Sequence, residues 1–471
     1  MIYISFKIKK RKLQTAIAPI KEAQSAFFQA GHTRSLQERK KYLKAFDRSI
    51  KANESQIFEA LTADLGKTAF ESFTSEVMLV QKEIRMQLKH LKRWAAPQRV
   101  PGSWVNFPSR DYLLPEPYGQ VLMISPWNYP FQLALTPLVG AVAAGNTVVL
   151  KPSELAPKTS TIVNHIISES FPKEWVTVLE GGVAEAQALL AQAWDYIFYT
   201  GSTHVGKIIA QVAAQNLTPT TLELGGKSPC IVHESAPLQT TAKRIVWGKF
   251  LNCGQTCIAP DYVLVPPQQK QALLAALQTE IRKAFGQEAA NSKDYGRIIN
   301  ESHLNRLQGY LKNQKVVYGG QTETSTRFME PTLVDSPALD SPIMKEEIFG
   351  PILPVLTYAN RTELEQIIFG LDKPLAFYVF SKNNKFIRYC ETRFSFGGGV
   401  VNDTLLHFTN DNLPFGGVGA SGMGAYHGAF SFSTFTHVKP IVKKGFWFDL
   451  PQRYAPYPKL SNLLKWLLKK I

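Results

Sequence analysis

The pattern of apolar and polar positions divides the chain into a helical beginning and a longer part in which short apolar runs alternate with helices. Residues 16–94 carry apolar side chains at steps of three and four, which is typical of amphipathic helices. Ser35 followed by Glu38 predicts the start of one of them. We expect one apolar stripe to pack on a sheet, and it consists of Phe70, Phe73, Val77, Val80, Ile84, Leu88 and Leu91.

The period changes after residue 118. Short runs rich in Val, Ile, Leu and Tyr now alternate with segments of helix length. This alternation is typical of a parallel, doubly wound sheet with right-handed crossovers. The sequence therefore predicts an α/β fold. Its five predicted strands are residues 119–125, 147–151, 175–180, 196–200 and 220–224.

Polar or glycine-containing turns follow four of these strands. Because open parallel sheets bind ligands beyond the carboxyl ends of their strands, we expect the turns to form a site. Gly201 allows close backbone approach and Ser202 predicts a helix cap, a combination that favours a pyrophosphate; an ordinary capped turn is an equal alternative. The turns are "PWNYP" (126–130), "KPSE" (151–154), "TGSTHVG" (200–206) and "GGKSP" (225–229).

Composition and charge narrow the class of protein. A chain of 471 residues exceeds what one core organises, so we expect at least two lobes. Four cysteines are too few for a disulfide framework, and no secretory leader or apolar run of about 20 residues is evident, which predicts a cytoplasmic protein. The net charge of +16 raises the alternative of a nucleic-acid binder or a catalytically silent scaffold, but no nucleic-acid-binding motif accompanies the charge.

Two of the cysteines, Cys253 and Cys257, are separated by only three residues. Neither has a histidine at the spacing of a zinc motif, and a disulfide is disfavoured in a reducing compartment. A nucleophilic thiolate is the remaining reactive interpretation, and an inert buried thiol competes with it. We assign Cys230 and Cys390 to the inert class. No metal site is predicted.

Seven linked motifs resemble those of the aldehyde dehydrogenase superfamily in order and spacing, and they look most like its class 3 branch, which includes the fatty aldehyde dehydrogenases. The resemblance covers residues 15–437. The motifs are "PWNYP", "KPSE", "YTGSTHVGK", "TLELGGKSP", "NCGQTCIAPDY", "EEIFGPILPV" and "LPFGGVGASGMGAYHG".

The resemblance implies an aldehyde dehydrogenase-like fold of two doubly wound α/β lobes with a β-strand oligomerisation arm. One lobe holds the five-stranded NAD(P)-binding sheet and the other is catalytic. A homodimer is implied, with residues 102–117 and 430–444 as arm strands. The implied domains are residues 1–96 and 118–222 for NAD(P) binding, 97–117 and 412–444 for the arm, 223–411 for catalysis and 445–471 for a basic tail.

The resemblance also implies catalytic roles at matching positions. Cys257 matches the nucleophile, Glu223 the residue that activates the deacylating water, and Asn128 the side-chain donor of the oxyanion hole. Considered without the motifs, Asn128 is better explained as a turn residue between two prolines, and Glu223 as a strand-end carboxylate paired with Lys227. An intact set of these residues implies an enzyme that hydrolyses its thioester.

Further matching positions imply the binding of cofactor and substrate. The implied cofactor is NAD, with NADP also accepted, because the charge of Glu154 disfavours a 2′-phosphate. The implied substrates are apolar medium-chain, long-chain, isoprenoid or apocarotenoid-type aldehydes; a CoA-acylating or semialdehyde dehydrogenase is the alternative. The matching residues are Lys151 and Glu154 at the ribose, Gly201 and Ser202 at the pyrophosphate, Glu347 and Phe349 at the nicotinamide, and Tyr129 and Trp247 in the substrate tunnel.

The two ends of the chain carry part of the positive charge. Residues 460–471 place apolar side chains on one helical stripe beside Trp466 and several lysines. Such a basic amphipathic helix lies on an anionic membrane surface, and residues 7–12 add basic charge. We therefore expect peripheral attachment to a membrane, with docking on the enzyme itself or its dimer mate as the alternative. The stripe is Leu460, Leu463, Leu464, Leu467, Leu468 and Ile471.

Overall fold

The structure is a computed structural model that describes residues 2–449, 451–457 and 459–469. The side chains of residues 2–14, 16, 104, 452, 464, 467 and 468 are outside this description. Three sheets of three or more strands and the helices around them organise the chain. Over the residues described, no helix is long and apolar enough to cross a membrane.

Helices precede the first sheet, and the predicted start at Ser35 is correct. The Ser35 hydroxyl accepts a hydrogen bond from the Glu38 N–H at 3.3 Å. The apolar stripe is buried or half-buried from Val77 onward, whereas Phe70 is 79% exposed. A π-helical turn interrupts the period there, so that Phe70 is exposed while Glu71 and Ser72 beside it are buried. The segments are Ile2–Gln29, Leu36–Ala52, Glu54–Leu65, Ala69–Ser72, the π turn Phe73–Val77, and Met78–Trp94.

The first sheet contains the five predicted parallel strands and one short antiparallel strand. In spatial order they are Gly422–Met423, Thr220–Glu223, Tyr196–Thr200, Gln120–Ile124, Thr147–Lys151 and Val176–Val178. The first of these was not predicted, and it pairs antiparallel with Thr220–Glu223. The helices between the strands are Gln132–Ala144, Pro157–Ser170, Val183–Leu190 and Thr203–Gln215.

A second sheet of seven strands forms the other lobe. All neighbouring strands are parallel except the first pair. The spatial order is Val316–Tyr318, Thr332–Asp335, Ile352–Thr357, Tyr262–Val265, Pro229–Val232, Ala376–Phe380 and Gly398–Val401. Its helices are Leu238–Phe250, Lys270–Phe285, Glu301–Leu311, Pro342–Lys345, Arg361–Phe369 and Asn384–Arg393, and a small hairpin joins Thr322–Glu323 to Phe328–Met329. The predicted α/β fold with two lobes is present, because each lobe is built on its own mainly parallel sheet.

The third sheet is an antiparallel arm of strands Gln98–Arg99, Ser109–Pro117 and Thr436–Lys444. The two long strands pair along their whole length, from Thr436 opposite Pro117 to Lys444 opposite Ser109. The predicted arm segment 412–444 is too wide. Residues 422–423 join the first sheet and helix Ala429–Thr434 packs on the helix Gln132–Ala144, because the glycine-rich loop closes back against Glu223.

The tail contains a short helix, Asn462–Leu468, within the predicted amphipathic segment 460–471. Leu460 and Leu463 are 59% and 67% exposed, so these two side chains are not docked on the body of the chain. The rest of the predicted stripe, namely the side chains of Leu464, Leu467 and Leu468 together with Ile471, lies outside the described residues. The basic side chains of residues 7–12 also lie outside them.

Candidate active site

The predicted site residues follow neighbouring strand ends of the first sheet. The strands that end at Ile124, Lys151, Thr200 and Glu223 are parallel neighbours in register. Their carboxyl ends therefore meet at one edge, where ligands of such sheets bind. The second lobe contributes Cys257 and residues 346–349 from across this edge.

A wide cavity of about 450 Å³ opens at this edge between the two lobes. Its wall combines glycine backbone, carboxylates, an amide and a thiol. The structure brings together here most of the predicted residues, namely Asn128, Gly201, Ser202, Glu223, Cys257, Glu347 and Phe349.

A narrow cavity of about 60 Å³ reaches Cys257 from another side. Its wall is mainly apolar and aromatic, and the predicted tunnel residue Tyr129 is part of it. Cys257 thus lies on the wall of both cavities. The apolar residues of the narrow wall are Leu79, Leu133, Leu251, Ile258, Leu405, Phe408 and Phe415.

Trp247 does not line the narrow cavity, and its place in the substrate tunnel stays a prediction. Its side chain is 45% exposed and lines a surface groove of about 630 Å³ beside the helix Lys270–Phe285. Trp247 shares a helix face with Lys243, four residues earlier, and that face points to the groove. The groove and the narrow cavity meet only at a shared wall residue, Leu251.

A strained loop presents Cys257. The preceding turn places Asn252 and Cys253 at φ 51° and 52°, in the left-handed region that non-glycine residues rarely adopt. Such strain often marks functional sites, because the surrounding structure must hold it in place. Hydrogen bonds do so here: the Gln255 amide donates to the carbonyls of Asn252 and Arg297, at 3.1 and 3.0 Å.

Opposing influences act on the Cys257 thiol. Burial raises its pKa most, and the nearby Glu347 and Glu223 carboxylates raise it further. Hydrogen bonds from the backbone N–H groups of Cys257 and Ile258 lower the pKa. Backbone N–H groups beside a nucleophile are also the kind of donor that stabilises an oxyanion.

The other three cysteines are enclosed. Cys230, Cys253 and Cys390 are buried, and burial raises the pKa of each thiol. All four thiols are free in the part of the chain described, and no group of His, Cys, Asp and Glu there is arranged to hold a metal ion. Cys253 lies four residues from Cys257 but lines neither cavity.

Glu223 is buried at the end of its strand. Neither carboxylate oxygen has a hydrogen-bond partner among the described residues, and burial raises the pKa of Glu223 well above its ordinary value. The alternative pairing with Lys227 is wrong, because Lys227 forms an ion pair with Asp261 at 2.5 Å. A buried carboxyl with unengaged oxygens and a raised pKa suits a general base.

Asn128 is also buried, and its side chain has a fixed orientation. The Asn128 Nδ2 donates to the carbonyl oxygen of Gln255 at 2.9 Å. Because an amide nitrogen carries two hydrogens, one is left for a substrate oxygen. Asn128 is therefore a wall residue of the cavity as well as a turn residue.

The wide cavity fits a dinucleotide. A Cβ on Gly201 would meet the Tyr199 hydroxyl, and a Cβ on Gly225 would meet the Glu347 carboxylate, so a side chain at either position would displace a residue that surrounds the cavity. Ser202 caps the helix Thr203–Gln215 by accepting a hydrogen bond from the Val205 N–H at 3.4 Å. A glycine turn that leads into a helix N-terminus suits a pyrophosphate.

Lys151 and Glu154 lie outside the lining of the wide cavity. The Lys151 ammonium forms an ion pair with the Glu154 carboxylate at 2.6 Å. Glu154 extends the same strand-end edge toward the turn after the strand Val176–Val178, since its carboxylate lies 4.0 Å from a Cβ built on Gly182. The two residues are thus near each other but apart from the nucleophile.

Some residues of the wide cavity were not recognised in the sequence. Trp127 contacts Phe349 edge to face at 5.3 Å between ring centroids, and it lies 4.9 Å from the His303 ring. Burial lowers the pKa of His303 to about 4, which keeps the imidazole neutral. Trp127 belongs to the motif "PWNYP", so its position beside Asn128 could have indicated it. His303, on the helix Glu301–Leu311, belongs to no motif.

The sequence profile of the aldehyde dehydrogenase family matches residues 5–441. The chain belongs to this family, so it is an oxidoreductase that acts on aldehydes with NAD or NADP. The predicted family is confirmed, and the predicted enzyme class with it.

Individual relatives are similar over nearly the whole chain. A 4,4′-diaponeurosporen-aldehyde dehydrogenase of Staphylococcus aureus is 46% identical over 446 residues, which are 94% of this chain and 97% of that protein. Aldehyde dehydrogenase family 3 member A2 of Mus musculus is 42% identical over 439 residues, 93% and 91% of the two chains, in accord with the predicted class 3 branch. An aldehyde dehydrogenase of Rattus norvegicus named "dimeric NADP-preferring" is 44% identical over 441 residues, 93% and 97% of the two chains.

Among solved structures, the substrate-bound state of Staphylococcus aureus AldH is similar with a TM-score of 0.93. Its identity to this chain is 44%, and the match covers 96% of this chain and 99% of that one. The agreement includes both lobes and the arm, because almost no residue of either chain is left unmatched.

Proposed function

We propose that this enzyme oxidises apolar aldehydes to carboxylates through a covalent bond to Cys257. The observation that carries the proposal is the position of Cys257 on the wall of both a narrow apolar cavity and a wide polar one. An apolar cavity suits a hydrocarbon chain, and polar groups beside it fix the reactive end. The name of the staphylococcal relative specifies 4,4′-diaponeurosporen-aldehyde, and we extend this to long-chain, isoprenoid and apocarotenoid-type aldehydes.

The first half of the proposed reaction forms a thioester. The Cys257 thiolate adds to the aldehyde carbon, and the carbonyl oxygen becomes an oxyanion. The Asn128 Nδ2–H and the Cys257 N–H donate to this oxyanion, and each good donor contributes roughly 3 kcal/mol. Bound NAD or NADP supplies the hydride acceptor. Loss of hydride from the tetrahedral carbon leaves a thioester on Cys257.

The second half releases the acid. Glu223 takes a proton from water, the resulting hydroxide adds to the thioester carbon, and the Cys257 thiolate leaves. The raised pKa of Glu223 supports this role, since a base is most effective when its pKa is near the working pH. An enzyme that passed its thioester to coenzyme A would not need such a base.

A panel of aldehydes tests the substrate class. Short aliphatic, long-chain and polyene aldehydes are each mixed with enzyme and NAD, absorbance of reduced nicotinamide is followed, and the product is identified by mass spectrometry. We expect kcat/KM to rise with apolar chain length and the free acid to form with or without coenzyme A. A preference for semialdehydes would contradict the substrate class, and a coenzyme A thioester would establish the acylating alternative.

We further propose that NAD is preferred and NADP accepted. The Glu154 carboxylate disfavours a 2′-phosphate, while the paired Lys151 ammonium moderates that repulsion. The name of the rat relative supports acceptance of NADP. Glu154→Gln should lower KM for NADP and leave KM for NAD nearly unchanged; an equal change in both constants would contradict the assignment.

We propose a homodimer that uses the arm. The strand Thr436–Lys444 stands at an edge of the arm sheet and exposes Val438 and Val442, and an unpaired edge of this length is a template for strand pairing. The word "dimeric" in the name of the rat relative supports this. Light scattering should give twice the mass of one chain, and Val438→Lys with Val442→Lys should give the mass of one. A single-chain mass for the unsubstituted enzyme would contradict the dimer.

We propose that the tail attaches the enzyme to an anionic membrane surface. Exposed aromatic and aliphatic side chains cluster there, including Trp447, Tyr457, Leu463 and Trp466. Deletion of residues 460–471 should abolish cosedimentation with vesicles of anionic phospholipid while turnover of a short aldehyde persists. Unchanged cosedimentation would contradict the role of the tail.

A further inference from the structure

An ion pair with both partners fully buried lies directly behind Asn128. The Lys67 ammonium is 2.5 Å from the Glu76 carboxylate, and both side chains are 0% exposed. Removing two charges from water costs about as much as their attraction returns, so such a pair contributes little to net stability. Its position suggests another role.

The pair holds two parts of the segment that carries Asn128. The Lys67 ammonium donates to the main-chain carbonyl of Asn128 at 3.0 Å. The second oxygen of Glu76 accepts the N–H groups of Phe131 and Gln132, at 2.9 and 3.0 Å. These are orphan donors at the start of the helix Gln132–Ala144, where a carboxylate is favoured. The pair therefore ties the Asn128 carbonyl to the start of this helix.

The loop of residues 252–257, which carries Cys257, contacts Asn128 from the opposite side. The Asn252 amide donates to the same Asn128 carbonyl at 2.7 Å, and the Gln255 carbonyl accepts from the Asn128 side chain at 2.9 Å. A carbonyl oxygen has two lone pairs, so the Asn128 carbonyl is fully engaged by Lys67 and Asn252. These hydrogen bonds thus fix both the main-chain carbonyl and the side chain of Asn128.

The same ion pair supports the neighbouring wall of the narrow cavity. The Lys67 ammonium lies 4.0 Å from the centroid of the Tyr129 ring, a cation–π contact. The Tyr129 hydroxyl in turn hydrogen-bonds the Thr256 hydroxyl at 2.7 Å, one residue before Cys257. Lys67 therefore contacts both Asn128 and Tyr129, the two residues of the turn "PWNYP" that hydrogen-bond the loop before Cys257.

We propose that Lys67 and Glu76 are positioning residues, which aim the Asn128 amide at the oxyanion formed on Cys257. This inference rests on the proposed role of Asn128. Loss of the pair would let Asn128 rotate or shift, and a misplacement of about 1 Å at a reacting group costs up to about 100-fold in rate.

Three variants test the proposal. The first, Lys67→Met, leaves the buried Glu76 carboxylate unpaired. The second combines Lys67→Met with Glu76→Gln and removes both charges. The third, Glu76→Asp, keeps both charges but shortens the carboxylate side chain. We expect the double variant to lower kcat for a short aldehyde by about 10- to 100-fold, with a much smaller change in KM. Glu76→Asp should retain more activity than the double variant.

The matched control is Arg39→Met. Arg39 is a buried cation that contacts the far end of the helix Gln132–Ala144. Its guanidinium donates to the Ala143 carbonyl at 3.1 Å. We expect Arg39→Met to lower the unfolding temperature and to leave kcat within about twofold of the unsubstituted enzyme. A loss of activity in Arg39→Met equal to that in the double variant would overturn the proposal, because any damage to this helix would then suffice.

The decisive comparison uses the Asn128→Ala background. If the pair acts through Asn128, removing both charges should lower kcat by less than about twofold once Asn128 is already alanine. An equal loss in both backgrounds, or a folded double variant with unchanged kcat, would overturn the proposal. Full activity of Asn128→Ala alone would instead refute the proposed role of Asn128, so the two failures are distinguishable.

Discussion

The two cavities that meet at Cys257 differ in what their walls offer. The narrow one presents leucines and aromatic rings, whereas the wide one presents glycine backbone, two carboxylates with raised pKa values and an amide. The wide wall therefore carries the groups proposed to move protons and stabilise charge, and the narrow wall is mainly apolar. Substitutions in the wide wall should therefore change rates for every aldehyde, and substitutions in the narrow wall should change which aldehyde is used.

The largest effect is expected at Cys257, which lines both cavities. Cys257→Ala removes the atom that bonds to substrate, so kcat should fall by about 10⁴-fold or more for short and long aldehydes alike. Reduced nicotinamide formation measures the loss. Cys253→Ala is the matched control, because this thiol lines neither cavity, and it should retain kcat. If the two variants lost the same activity, Cys257 would not be the nucleophile.

The next largest effect should appear on the wide side. In Glu223→Gln the thioester still forms but water is not activated, so steady-state kcat should fall by about 10²- to 10⁴-fold. Stopped-flow absorbance should show a first turnover close to that of the unsubstituted enzyme, and mass spectrometry should detect acylated Cys257. A slow first turnover without acyl-enzyme would place Glu223 in the first half of the reaction instead.

A substitution in the narrow wall should act selectively. Leu251 lines both the narrow cavity and the surface groove, so Leu251→Trp should obstruct a long chain and leave room for a short one. We expect kcat/KM for a long-chain aldehyde to fall by about 10- to 100-fold, with little change for a two-carbon aldehyde. Equal losses for both aldehydes would remove the distinction between the two walls.

The sequence predicted the strand ends of the first sheet better than it predicted which residues of the rest of the chain pack against them. Alternating apolar runs located the five parallel strands. Asn128 lies in the turn after one of them, and Glu223 is the last residue of another. The resemblance implied a tunnel position for Trp247 but not which cavity wall it joins, because that depends on how the helix Leu238–Phe250 packs. The π turn before Val77 is a local irregularity that no period reveals.

The Lys67–Glu76 pair had no sequence signal. Lys67 lies 61 positions from the Asn128 carbonyl to which it donates, and neither residue of the pair belongs to a motif. Only the fold brings the helix Ala69–Ser72 and the π turn after it against the turn "PWNYP". Contacts between separate helices and turns of this kind depend on packing, which the residue types alone do not specify.

The smallest expected effect is a pH-dependent change in the reactivity of Cys257, which tests whether a charge in the wide wall acts on this thiol. Burial raises the pKa of Glu347 to about 8, and the charge of Glu347 raises the pKa of Cys257. Glu347 gains its negative charge as pH rises through about 8, so it opposes formation of the thiolate only on the alkaline side. Glu347→Gln removes that charge, and alkylation of Cys257 by iodoacetamide without cofactor should become about threefold faster above pH 8, with little change at pH 6. Cys257→Ser gives the background labelling. If alkylation were unchanged at pH 9, or faster only at pH 6, the Glu347 charge would not act on the thiol, and the remaining influences on the pKa of Cys257 would be burial, Glu223 and the backbone N–H groups.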